Sequence, residues 1–235
     1  MEKKQTFVNP AQIIDQLLMK AILNGQYPPG STLPPERELS SKLGIARTTL
    51  RESLQRLARD KWLTIRKGQP TRVNHFWQEG NLNTLEHIIA NTEHPTENFV
   101  VHLLEVRSSL APAFVRDAVL KNPAKVIAIL AKSDELEDDP TSFTLFDWEL
   151  QKQLAVLSEN PIYVLLINSF SQIYEHMGQL YFSHQQNREA THLFYTRLLS
   201  AAMSKDATQA EQITKEDMLK SITLWKNAIN STDQT

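Results

Sequence analysis

One stretch constrains this chain more than any other: residues 34–73, PPERELSSKLGIARTTLRESLQRLARDKWLTIRKGQPTRV. Pro34 and Pro35 suit a helix start, because proline's missing N–H has no intrahelical partner in the first turn. A helix is expected over 36–43, ended by Gly44, which can take the left-handed conformation of a sharp turn. A second helix follows over about 46–60. Leu50, Leu54 and Leu57 recur at spacings of four and three, one apolar stripe at helical period. Thr48, Arg51, Glu52, Gln55 and Arg59 fall on the opposite side, and Arg47 flanks the stripe. Residues 63–66 alternate like a strand, 67–70 read as a turn and 71–73 as a return strand. Two helices joined by a short glycine-containing turn, then a hairpin, make a winged helix-turn-helix, whose second helix enters a DNA groove.

Charge agrees with this reading. From Arg37 to Arg72 there are ten Lys/Arg and three Asp/Glu. Residues 1–76 carry 13 basic and 6 acidic side chains, or +7, while residues 77–235 carry 12 and 21, or −9; together they give the net −2 of the whole chain. A basic N-terminal part joined to an acidic remainder fits a DNA-binding domain with a separate ligand or partner domain.

The chain has no cysteine, which excludes disulfides, cysteine nucleophiles and thiolate metal sites. The start, MEKKQTFVNP, lacks the apolar core of a secretory signal, and the longest near-continuous apolar run, 162–167, is far too short for a bilayer. A cytoplasmic protein is expected.

Ahead of the helix-turn-helix, Asn9 and Pro10 read as N-cap and first helical residue, and Ile13, Ile14, Leu17, Leu18, Ala21 and Ile22 give an apolar face. The expected DNA-binding domain therefore spans 1–74. Residues 75–81, polar but carrying Phe76 and Trp77, read as a linker whose aromatics pack on a neighbouring domain. Residues 82–235 are expected to form an all-helical domain of about seven helices: 82–91; 97–121, capped by Thr96 and open to a kink at Pro112; one from Pro123; one after Ser142; 161–182; 188–205; and 208–229. The segment IYVLLINSF is apolar nearly all round and is expected in the middle of the bundle. The fold class is thus mainly α, with ligand sites expected between helices.

The segment LPPERELSSKLGIARTTLRESLQRLARDKWLTIRKGQPTRVNHFW closely resembles the winged-helix domain of the GntR family of bacterial transcription regulators, and weaker similarity, notably at ENPIY (159–163), continues through the helical part. The resemblance is to the branch that regulates fatty acid metabolism. It implies DNA contacts from Arg37, Arg47, Thr48, Thr49 and Arg51, with Lys67, Gly68 and Gln69 at the wing tip. Arginine suits guanine O6 and N7, while threonine hydroxyls and helix N-terminal N–H groups suit phosphate. Ala46 stands where the family has a hydroxyl residue, and the wing reads Lys-Gly-Gln rather than His-Gly-Lys.

For the helical part the resemblance implies a long-chain acyl-CoA sensor, with Tyr174, Tyr181, Ser221 and Trp225 at the ligand site, and Arg107 is a candidate partner there for a buried polar or phosphate group. Asp217 and Met218 stand where those regulators have Tyr and Gly. Other relatives bind a metal through an Asp with a His four residues on; here Asp147 is followed by Gln151, and no histidine follows His192, so no metal site and no cofactor are expected. The implied function is a homodimeric regulator on a palindromic operator, repressing fatty acid degradation genes, activating synthesis genes and released by acyl-CoA. The alternative is a GntR-type repressor sensing a small organic acid or other metabolite. An enzyme is not expected, since no HExxH, P-loop, dinucleotide fingerprint or GxSxG occurs.

Overall fold

The computed structural model describes residues 10–92 and 96–232. By mutual contact the chain divides into two compact units, Met1–Glu93 and His94–Thr235.

In the first unit, α1 (Pro10–Leu23) buries Ile14, Leu18, Met19 and Ile22. The expected cap at Asn9 lies outside the described residues. Helices α2 (Glu36–Leu43) and α3 (Arg47–Arg59) follow, with Gly44 between them at φ 66°, ψ 30°. Leu50, Leu54 and Leu57 form the buried stripe of α3, and Leu39 of α2 is buried with them. Asp15 of α1 clamps α3: it accepts from Arg56 Nε at 2.7 Å and from the Ser53 hydroxyl. After α3 the chain turns through Lys61, at φ 65°, which drops Trp62 into full burial.

The wing is smaller than the alternation suggests. Strands β1 (Leu63–Thr64) and β2 (Arg72–Val73) pair antiparallel, Leu63 opposite Val73 and Thr64 opposite Arg72. Thr32 adds one further bridge to Arg72. Asn74, 2% exposed, ties the base: its Nδ2 donates to Lys61 O at 2.9 Å, its backbone N–H to Trp62 O at 2.9 Å, and its Oδ1 accepts from Thr64 at 2.7 Å.

The segment 75–81 is more ordered than a linker. It holds a short helix, α4 (Phe76–Glu79). Phe76 packs on Trp62 with ring centroids 5.1 Å apart, inside the same unit, whereas Trp77 is 64% exposed. Helix α5 (Leu82–Asn91) opens with a reciprocal Asn81–Thr84 capping box. It belongs to the first unit by contact, and that unit runs to Glu93. The cause is a set of polar ties: the Thr84 hydroxyl donates to Asp60 O at 2.7 Å, Asn83 Nδ2 to Asp60 Oδ1 at 3.2 Å, and Trp62 Nε1 to His87 Nδ1 at 3.3 Å.

The second unit is all helical among the described residues. α6 (Glu97–Lys121) starts at a Thr96 cap and runs unbroken across Pro112, whose ring removes one N–H from the ladder. α7 (Pro123–Leu130) leads through a 3-10 turn (Ala131–Glu135) to α8 (Pro140–Leu157). α8 starts two residues before Ser142, because Asp139 caps it and Pro140 opens it. The expected helix over 161–182 is two, α9 (Pro161–Asn168) and α10 (Ser171–Phe182). At the break the Ser169 hydroxyl bonds back to Leu165 O at 3.1 Å and Phe170 N–H reaches only to Ile167 O at 3.0 Å, tightening the last turn. Nor is α9 central: Ile162 and Leu165 are 58% and 62% exposed, and only Ile167 is buried. α11 (Gln185–Met203) and α12 (Ala207–Thr232) complete the bundle. Its core joins Phe114, Val115 and Val119 of α6 to Leu150 and Leu154 of α8 and Leu198 of α11, and α12 lies along α6.

Leu50 is fully buried between α3 and its neighbours. Leu50→Ala is expected to destabilise the winged-helix unit by ~2–5 kcal/mol, read as a lower urea midpoint. Exposed Thr48→Ala should stay within ~0.5 kcal/mol of the parent.

Candidate nucleic-acid interface and ligand cavity

The leucine stripe of α3 turns its other face outward. Arg47, Thr48 and Arg51 are exposed, Thr49 is half-buried, and Arg37 of α2 is exposed beside them. The first turn of α3 has Ala46 as its cap, at φ −66°, ψ 142°, with no side-chain capping bond. Its leading N–H donors are therefore left for an anion, and the helix dipole favours one there. The wing tip presents exposed Lys67, Gly68 and Gln69, with Gly68 at φ 74° and open space where a Cβ would stand.

The cations are not equivalent. Arg51 Nη2 is paired with Glu36 at 2.8 Å, Arg56 with Asp15, Arg59 with Asp60 at 3.5 Å, and Arg72 with Glu79 at 3.1 Å. Among the described residues no such pair is recorded for Arg37, Arg47, Arg66 or Lys67. The open cations thus include those at the start of α3, on α2 beside it and in the wing, and Lys42 and Lys61 are exposed without such a pair as well. A run of charge in a sequence carries no sign of which arginines are already occupied.

In the helical unit, the five candidate ligand residues line one concavity, with about 60 Å³ of enclosed space and about 520 Å³ when the open solvent at its mouth is counted: Arg107 from α6, Tyr174 and Tyr181 from α10, Ser221 and Trp225 from α12. Val100, Leu104, Met177 and Phe182 supply apolar wall. Gly178 lines it too, and a Cβ there would meet Thr144 Cγ2 of α8 at 2.7 Å. Glycine is what lets α10 lie this close to α8.

The polar end is organised by Asp147, 2% exposed. Its Oδ2 accepts from Arg107 Nη2 at 3.0 Å and from the Tyr174 hydroxyl; its Oδ1 accepts from the Tyr195 hydroxyl at 2.9 Å. Arg107 also stands over the Tyr174 ring, 5.5 Å from its centroid. Burial, with the Asp147 charge adding to it, raises both phenols far above their ordinary range, so they remain donors. Burial opposes the Arg107 charge, but its acidic neighbours outweigh burial and hold the guanidinium protonated. Ser221 Oγ donates to Met218 O at 2.7 Å, so toward a ligand it can only accept. Trp225 Nε1 is buried with no partner, a donor facing a need.

Asp147 and Tyr195 are the residues that sequence reasoning missed as a site. The available signal was a lone carboxylate on the apolar face of α8, which when buried must find partners. Gln151, one turn further, is 2% exposed and neither atom of its amide has a partner. Among the described residues no group of three His, Asp or Glu is placed to hold a metal ion.

Residues 10–73 match the family model described as bacterial regulatory proteins, gntR family, and residues 74–235 match the FadR C-terminal domain. A fatty acid metabolism regulator protein of Shewanella pealeana is 41% identical over 218 residues, covering 93% of this chain and 91% of the relative. One from Serratia proteamaculans is 38% identical over 219 residues, covering 93% and 92%. Among solved structures, Lar of Listeria monocytogenes, described as controlling expression of the agr system, superposes with a TM-score of 0.62 at 16% identity, covering 95% of this chain and 99% of that one. At that identity the likeness is one of fold.

Glu36→Gln, which releases Arg51, is expected to raise affinity for duplex DNA and steepen its fall with salt, read by titration at several salt concentrations. Tyr195→Phe removes a donor from a buried carboxylate and is expected to cost ~1–3 kcal/mol of stability, read by urea unfolding.

Proposed function

Because the chain belongs to the GntR family of bacterial regulatory proteins and carries the FadR-type C-terminal domain, we propose that it is a DNA-binding regulator of fatty acid metabolism whose helical unit binds long-chain acyl-CoA and thereby weakens its hold on DNA. The family is one of transcription regulators rather than enzymes. The observation that carries the ligand half is the cavity: an apolar wall of Val100, Leu104, Met177 and Phe182 leads to a polar end built on Arg107 and Asp147. An acyl chain suits the first and a thioester head the second. A small organic acid suits it less well, since the one cation lining it is already bound to a carboxylate.

The DNA half rests on Arg37, Arg47 and the Lys67–Gln69 wing tip, all exposed around an uncapped helix start. Arg47 would read a guanine, Thr48, Thr49 and the α3 N–H groups would hold phosphate, and the wing would lie along the backbone. As a homodimer the protein would meet two half-sites ~34–36 Å apart on a palindrome. Repression of degradation genes and activation of synthesis genes would follow from where such operators lie relative to promoters. No described helix is long and apolar enough to cross a membrane, and a regulator of this kind would work in the cytoplasm, where the DNA is.

The test uses a duplex selected by the protein from a random pool. Dodecanoyl- or oleoyl-CoA is expected to weaken binding to it at least ~10-fold, a coupling of about 1.4 kcal/mol. Linkage requires that DNA weaken acyl-CoA binding by the same factor. Unchanged DNA affinity at saturating acyl-CoA would sink the effector half; recovery of no preferred duplex would sink the whole. Arg47→Ala should lose ~10-fold or more of specific binding, the value of a good guanine contact, with the unfolding midpoint unchanged.

A further inference from the structure

Asp217 is a second carboxylate at the cavity, one turn before Ser221 on α12. Among the described residues no hydrogen bond or ion pair is recorded for it. The charged and titratable groups around it are Arg107 on α6, Asp147 on α8, Tyr174 and Tyr181 on α10, Arg197 on α11 and Lys220 on its own helix. Arg107 is committed to Asp147 at 3.0 Å, and Arg197 to Glu216 at 2.8 Å. Both tyrosines stay neutral, held up first by burial. Among the described residues, Asp217 is therefore the carboxyl of the cavity lining that has neither a hydrogen-bond donor nor a paired cation, and it is half-buried. Burial, reinforced by Asp147 and only partly offset by Arg107, pushes its carboxyl up to about 7.

We propose that filling this cavity is linked to proton uptake at Asp217, so that effector affinity falls as pH rises through neutrality. This rests on the reading that the cavity takes an acyl ligand. An acyl chain displaces the water that solvates the carboxylate and offers no cation in exchange, which disfavours the charged form. An anionic head group adds a like charge and acts in the same direction. The carboxyl therefore titrates higher in the complex than in the free protein. Below the free value both states hold the proton and affinity is flat. Above it, binding must take up a proton, and affinity falls toward tenfold per pH unit until the value in the complex is reached.

The experiment is calorimetric titration of the full-length protein with the dodecanoyl thioester of N-acetylcysteamine, a probe with no group titrating in this range, from about pH 6 to about pH 8.5. Wild type is expected to lose ~10-fold in affinity over the upper half of that range, and Asp217→Asn to bind with affinity independent of pH. In the wild type, two buffers of different ionisation enthalpy at about pH 8 should report close to one proton taken up per ligand bound, a result that does not depend on the variant folding. Flat wild-type affinity, no proton uptake, or a variant as pH-dependent as the parent overturns the linkage while leaving the acyl-binding reading in place. Failure of the probe to bind wild type at any pH overturns both.

Discussion

A single buried carboxylate holds the helical unit in register. Asp147 on α8 takes its hydrogen bonds from Arg107 on α6, Tyr174 on α10 and Tyr195 on α11. A carboxylate removed from water is tolerable only with its lone pairs occupied by well-placed donors, so four helices are obliged to converge on one point. The hydrophobic core around Leu150, Leu154 and Leu198 drives association, but apolar packing alone tolerates sliding. The Asp147 cluster fixes which turn of each helix faces which. A cavity with a defined polar end is a by-product of that convergence.

The winged-helix unit solves the opposite problem, keeping charge outside. Leucines on one face of α3 fix its orientation, and Asp15 locks Arg56 and Ser53 against α1. What is left outward is a small set of cations without internal partners, beside a helix start without a cap. Glu36 holds Arg51 in the same place, so DNA must compete for that guanidinium. The surface is thus graded: some cations stand ready, while Arg51, Arg59 and Arg72 are held by neighbouring carboxylates.

Much of this was legible in the sequence where local chemistry decides. The α2–turn–α3 span and the Thr96 start of α6 are written in proline, glycine and capping residues that act over three or four positions. The strands came out shorter than the alternation at 63–66: pairing ends at Thr64–Arg72, Thr71 O accepts from Leu33 N–H, and the chain turns over 66–69 with Gln69 N–H donating to Arg66 O. The place of α5 was not legible, since it depends on Asp60, Trp62 and His87 meeting across twenty or more residues. Nor was the exposure of Ile162 and Leu165, because a helix apolar all round does not say how many neighbours it has. Of the cavity, the resemblance supplied Tyr174, Tyr181, Ser221 and Trp225 and the chemistry of the side chain supplied Arg107, while Asp147 and Tyr195 come together only once α8 and α11 are packed.

Gln151 sits one turn along α8 from this cluster, with a buried amide that has no hydrogen-bond partner among the described residues. An amide so stranded works against the native state, and a hydrocarbon of similar length would pack there more comfortably. The same helix thus carries, one turn apart, a carboxylate with both oxygens served and an amide with neither atom served. The fully bonded carboxylate, and not this amide, therefore sets the place of the helix, and the amide marks the turn of α8 where stability is left ungained.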